Sequence, residues 1–137
     1  MLLAKARAFM NESGPAIASL TRKNDLEPDH VIAVHDDIDL AFGALRVTLG
    51  GSTAGHNGLR SLERALRSPE FYRVRLGVGR PTGRKDPADW VLEGCAKAQE
   101  PDVSLLVDDG ADAVRSLVRD GLQSTQDRYN RSAPREP

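Results

Sequence analysis

The sequence of 137 residues holds one cysteine, Cys95. A lone cysteine excludes an internal disulfide framework and a cysteine-based metal cluster, and makes a reducing cytoplasm the expected compartment. Aromatic residues are scarce, at 4%. No apolar run approaches the ~18 residues of a membrane helix. Met1-Leu2-Leu3-Ala4 is too short an apolar stretch for a secretory signal, so no membrane partner is expected. Internal repeats and low-complexity linkers are absent too. What is there is ordinary globular composition, 39% hydrophobic and 28% charged, at a length that suits one domain. That domain is expected over residues 1–130. Residues 131–137, with two prolines and no apolar period, read as a flexible tail.

The net charge of −1 averages two opposite regions. Phe42 to Lys85 holds nine Lys/Arg and two Asp/Glu, whereas Asp86 to Asp127 holds three basic and ten acidic residues. Arginine supplies most of the positive charge, and its planar fork suits phosphate. On charge alone the basic region is either a nucleic-acid face or solvated surface.

Periodicity places the elements. His30 to His35 is a continuous apolar run ending in Asp36-Asp37, the pattern of a strand buried on both faces. Leu45, Val47 and Leu49 alternate with Arg46 and Thr48. Val74, Leu76 and Val78 alternate with Arg73 and Arg75 in the same way, so both segments read as half-exposed strands. Asn11 to Pro15 opens a helix with Ile17 and Leu20 on one face. A glycine-rich loop from Gly50 to Gly58 leads into a helix bearing Leu59, Leu62 and Leu66. A longer helix from about Pro101 carries Val103, Leu106, Val107, Val114, Leu117 and Val118, with Gly110 as a local weakness of ~1 kcal/mol. Strands interleaved with helices give an α/β fold with a mixed sheet between helices.

Four segments carry chemistry. The carboxylates of Asp36, Asp37 and Asp39, just past a strand, suit acid–base work or a magnesium ion; equally, aspartate at a strand-to-turn junction bonds nearby backbone amides. Between Gly51 and Gly58 the chain allows close backbone approach but matches no nucleotide fingerprint. There Asn57 is either a helix N-cap or an exposed carboxamide, and His56 either a hydrogen-bonder or a catalyst. Asn11 offers the same choice beside Phe9 and Met10. Arg73 and Arg75 share one strand face, as a phosphate comb or as edge charges worth little singly.

Read in order, these segments resemble the bacterial peptidyl-tRNA hydrolase family. The family's T-F-M-N-x-S-G is similar to Ala8 to Gly14, its H-D-D/E-L-D-L to His35 to Leu40, its glycine run closing in G-H-N-G to Gly50 to Gly58, and its F-x-R-L-R-I-G-I-G-R-P to Phe71 to Pro81. V-L-G resembles Val91 to Gly94, and A-M-N-R-F/Y loosely resembles Thr125 to Tyr129. The resemblance spans roughly residues 2 to 130. It implies hydrolysis of the ester joining a peptide to the 3′ end of tRNA, with peptidyl-tRNA as partner through its acceptor stem. No metal or organic cofactor is implied. Asp36 corresponds to the acid that orients the catalytic histidine. Asn11 and Asn57 correspond to the asparagines that hold the peptide backbone and the tRNA end, with Phe9 at that edge and His56 lining the cleft. Arg46, Arg73 and Arg75 fall in the basic patch that receives tRNA phosphates. Asp36, Asn11 and Asn57 are expected to converge on one cleft.

The family's opening G-L-G-N-P-G-x-x-Y-x-x-T-R-H-N-x-G block, which bears the catalytic base histidine, has no counterpart in this sequence. The expectation is therefore a chain lacking the first strand and helix, a monomer with an exposed sheet edge that favours self-association, and weak or no hydrolysis, with His56 as the remaining imidazole. The alternative is a non-catalytic tRNA- or RNA-binding relative.

Overall fold

The computed structural model describes residues 2–4, 13–53, 56–79 and 100–133. The chain divides into two compact units, Met1–Ile32 with Leu49–Tyr72, and Ala33–Thr48 with Arg73–Pro137.

The first unit is a helix pair. Helix α1 spans Ser13–Lys23 and α2 spans Asn57–Leu66. Pro15 is tolerated because it sits in the first turn of α1, where amides lack intrahelical partners, and Arg22 and Lys23 complement the dipole at the other end. The buried positions of α1 are Gly14, Ala18 and Thr21, three small residues one turn apart, whereas Ile17 and Leu20 are half-buried. Small residues let α1 approach α2 on its buried Gly58, Leu59 and Ser61. At Gly14 the approach is closest. Its amide donates to Ser61 Oγ at 2.8 Å, and a β-carbon there would overlap the Ser61 carbonyl. Gly14→Ala is expected to destabilise the protein by about 3 kcal/mol, read as a lower urea midpoint with an unchanged m-value. Phe71, also in this unit, is fully buried.

The second unit holds a three-stranded sheet of β1 (Ile32–Asp37), β2 (Leu45–Leu49) and β3 (Tyr72–Gly77), in the order β1-β3-β2. Tyr72 donates to the Val31 carbonyl and Val78 to that of Asp37, a constant offset that makes β1 and β3 parallel. Gly43 donates to Gly77 and Gly77 to Ala44, so β2 runs antiparallel to β3 and the sheet is mixed. The α/β class with a mixed sheet is thus what the chain adopts.

Two strands trade the environments that their patterns predict. The apolar run lies on β1, an edge strand among the described residues, where Val34 is 50% exposed. The arginine-bearing strand is β3, in the middle. Covered on both faces, it buries Arg73 and Val74 completely. Alternation does separate Arg73 from Val74, but neither face is solvent.

Helices α3 (Glu100–Asp120) and α4 (Leu122–Tyr129) turn on Gly121, whose φ of 86° only glycine adopts without strain. The buried stripe of α3 is Leu106, Gly110, Ala113 and Leu117; Val107 and Val118 face outward. Gly110 is a packing requirement here, because a β-carbon would lie 3.0 Å from Leu76 Cδ2. Ser116 and Thr125 hydroxyls bond at 2.6 Å in the α3–α4 interior. Outside, Arg128 at 2.8 Å, with Arg119, holds the Asp120 carboxyl below its ordinary value.

The segment after α4 closes the free edge of β2. Asn130 Oδ1 accepts from Val47 N–H at 2.8 Å, and Gln126 Nε2 donates to Val47 O at 3.0 Å. Arg131 pairs with Leu45 through both backbone bonds. Its side chain donates to Asp109 Oδ2 and to the Gly43 carbonyl. Arg131, the residue at which the tail is expected to start, is fixed into the sheet. Strand-edge amides that would template aggregation are satisfied this way. No helix among the described residues is long and apolar enough to cross a membrane.

Candidate functional site

The structural role open to the acidic motif falls on one of its carboxylates. Strand alternation sends Asp36 and Asp37 to opposite faces of β1. Asp37 is buried, accepts from Asp39 N–H at 2.8 Å to form the turn, and pairs with Arg75 Nη1 at 3.3 Å. It is the structural member. Asp36 is half-buried.

His56, rather than Asn57, caps α2. Its Nδ1 accepts from Leu59 N–H at 3.2 Å, and its backbone carbonyl accepts from Arg60. Asn57 is consequently the first helical residue, and it is exposed. The cap fixes a tautomer. A backbone N–H only donates, so Nδ1 holds the lone pair and the proton of the neutral ring sits on Nε2. In this geometry Nε2 is a donor, and taking a proton there requires the cap to break first. His35 shows the reverse arrangement. Its Nδ1 lies 2.8 Å from the Asp36 carbonyl, which only accepts, so Nδ1 carries the proton.

Asn57 thus gives the first unit an exposed carboxamide at the start of α2. His56→Asn keeps a cap acceptor and removes the imidazole, whereas His56→Ala removes both. The alanine variant is expected to lose about 1 kcal/mol of stability and the asparagine variant almost none, as thermal midpoints would show.

The arginines divide by burial. Arg46 is exposed on β2. Arg75 keeps only 13% of its side chain accessible and is bound to Asp37, and Arg73 is fully buried. The solvent-facing comb expected of Arg73 and Arg75 does not exist in this arrangement, because β3 is the central strand. Phe9 and Asn11 lie outside the described residues. His56 and Asn57 belong to the first unit, Asp36 and Arg46 to the second. Among the described residues no group of three or more His, Cys, Asp or Glu is arranged to hold a metal ion.

Sequence reasoning did not single out three arginines along α2 and at its C-cap. Arg60, Arg64 and Arg67 are all exposed. Their i, i+4, i+7 spacing was a readable signal inside the basic region. It also missed Asp109, buried in α3 and joined to Arg131.

The model of the family described as Peptidyl-tRNA hydrolase matches residues 1–136. The chain is 52% identical over 128 residues to the peptidyl-tRNA hydrolase of Mycobacteroides abscessus, covering 93% of this chain and 65% of that protein. It is 45% identical over 130 residues to the one from Arthrobacter sp. strain FB24, covering 95% and 67%. The crystal structure of peptidyl-tRNA hydrolase from Acinetobacter baumannii superposes with a TM-score of 0.79 at 27% identity, covering 93% of this chain and 65% of that one. The chain therefore spans about two thirds of the length of the relatives it matches.

Proposed function

We propose, for a chain that belongs to the peptidyl-tRNA hydrolase family, hydrolysis of the ester that joins a peptide to the 3′ end of tRNA. The observation that carries this reading is the family match over nearly the whole chain, with Asp36, His56 and Asn57 standing in the segments that resemble the family's motifs. Ester hydrolysis requires a water made nucleophilic and a substrate held still. In this reading Asp36 supplies a fixed negative charge that supports the basic form of an imidazole. Asn57 holds the tRNA end through its exposed carboxamide. His56 is the remaining imidazole of this reading, and it accepts a proton only when its cap on Leu59 opens. Asn11 and Phe9 are assigned to the peptide side of the same substrate. Arg46 meets a phosphate, and Arg75, held by Asp37, orders the sheet from which it is offered. Turnover of tRNA places this work in the cytoplasm.

A second reading, an RNA-binding relative without hydrolysis, is favoured by one observation. The cap on His56 withholds its lone pair from Nε2 chemistry. One experiment separates the two. Turnover of N-blocked aminoacyl-tRNA is measured beside binding of the same tRNA without its ester. Hydrolysis that survives in His56→Asn supports the first reading with His56 as a binding residue. Binding without turnover, under conditions where a full-length relative turns over, supports the second. Loss of turnover with unchanged KM in His56→Asn would instead make His56 the proton acceptor.

A further inference from the structure

The two flanks of α3 are finished differently. Toward α4 the helix carries Asp109 and Ser116, which bond Arg131 and Thr125. A step of two residues turns an α-helix by about 200°, so Val107, Val114 and Val118 lie on the opposite flank. There Val107 is 52% and Val118 60% exposed, Val114 is half-buried, and Ala111 between them is exposed. The spacing of residues 107, 111, 114 and 118 is four, three, four, the seam along which one helix packs against another. The sheet-facing stripe of Leu106, Gly110, Ala113 and Leu117 is separate from it.

The sheet extends this apolar strip. Gly110 lies against Leu76, so α3 covers the Leu76 face of β3. Arg75 is on the other face and pairs with Asp37 of β1 there. Val34, three residues before Asp37, is therefore on the α3 side of the sheet, and it is exposed. Arg131, bonded to the Asp109 flank, pairs with Leu45 of β2. With β3 in the middle of the order β1-β3-β2, the valine flank accordingly overhangs β1 and Val34. Charges beside the seam are sorted along the axis. Asp108 and Asp112 stand in the N-terminal half, Arg115 and Arg119 in the C-terminal half, all exposed.

We infer that the valine flank of α3, with Val34 beside it, is a docking surface for a second copy of this chain, the two α3 helices lying side by side and antiparallel. The charges select this occupant and this direction. A parallel copy sets like charges together, whereas an antiparallel copy sets Asp108 of each chain beside Arg115 of the other. Valines and charges also agree on one two-fold axis: the midpoint of Val107 and Val118 and the midpoint of Asp108 and Arg115 differ by one residue, about 1.5 Å of helix rise. The same patch thus complements itself, as a two-fold interface requires. Arg115 is held meanwhile by Asp112 of its own helix at 2.7 Å, an exposed bond that exchanges at little cost. Burial of the exposed valines supplies the driving force.

Sedimentation equilibrium of the whole chain tests this, with loading from about 1 μM to about 1 mM to span weak association. A reversible dimer is expected. Val118→Lys, at an exposed position, raises the dimer Kd about tenfold or more, while the thermal midpoint at the lowest loading moves by no more than about 2 °C. Asp108→Arg and Arg115→Asp each weaken their own homodimer by about threefold or more. Mixed in equal amounts, these two variants form a heterodimer tighter than either homodimer, because every guanidinium at the seam then faces a carboxylate. A folding defect in either variant does not produce that rescue. A chain that stays monomeric throughout overturns the inference and leaves this face to a different partner. So does a dimer insensitive to Val118→Lys, which puts the contact elsewhere on the chain. A mixture no tighter than the homodimers rejects the antiparallel arrangement and with it the inference.

Discussion

Asp36→Asn is expected to lower kcat for N-blocked aminoacyl-tRNA by about 10²-fold or more while the unfolding midpoint moves by no more than about 2 °C. Asparagine has the shape and the hydrogen-bonding reach of aspartate but no charge. What it removes is the electrostatic support of a protonated imidazole, which matters most as charge develops in the transition state. Stability is spared because the structural work of this motif belongs to the next residue. Steady-state kinetics beside a thermal melt give both numbers. A kcat within a factor of about three of the parent removes Asp36 from the reaction. A kcat loss matched by a loss of folded protein makes it a second structural carboxylate.

Asp37→Ala is expected to do the converse, with a stability loss of about 3–5 kcal/mol. The substitution leaves the Arg75 guanidinium buried without its counter-charge and frees the Asp39 amide that Asp37 satisfies. Against a typical total of about 5–15 kcal/mol, that loss unfolds a large share of the molecules at physiological temperature. Removing both charges is less harmful than removing one, since no orphan charge remains. Asp37→Ala combined with Arg75→Met should therefore fall well short of the sum of the single losses in a double-mutant cycle. Chemical denaturation of the four proteins measures this. A loss below about 1 kcal/mol for Asp37→Ala, or strict additivity in the cycle, rejects the assignment of the pair as a buried structural bond.

The contrast between these neighbours marks the boundary of what a sequence reveals. Residues 35–39 announced a carboxylate site and a turn at once. Only the register of β1 in the sheet placed Asp37 in the turn, with Asp36 on the opposite face. The His56-Asn57 pair was legible as the entry to a helix. Which of the two capped it depended on which side chain reached the third amide of α2, and that in turn fixed the proton on the imidazole.

The order of elements, the α/β class and the family were settled by the sequence itself. Periodicity of apolar residues is a local property, and ordered motifs survive in linear spacing. The place of each strand in the sheet was not settled there. An apolar run reads the same at an edge as in the centre, and Arg73 reads as exposed until another strand and its covering layers lie against it. Those neighbours come from segments distant in the chain: among the described residues the pairing order β1-β3-β2 leaves Val34 at an edge and puts Arg73, fully buried, on the middle strand. Likewise Gly110 looked like a flaw in a helix until Leu76, 34 positions earlier, filled the space that a side chain would need. Pattern determines which elements form. Long-range packing determines which of their charged residues remain in water, and hence which are available to meet a ligand.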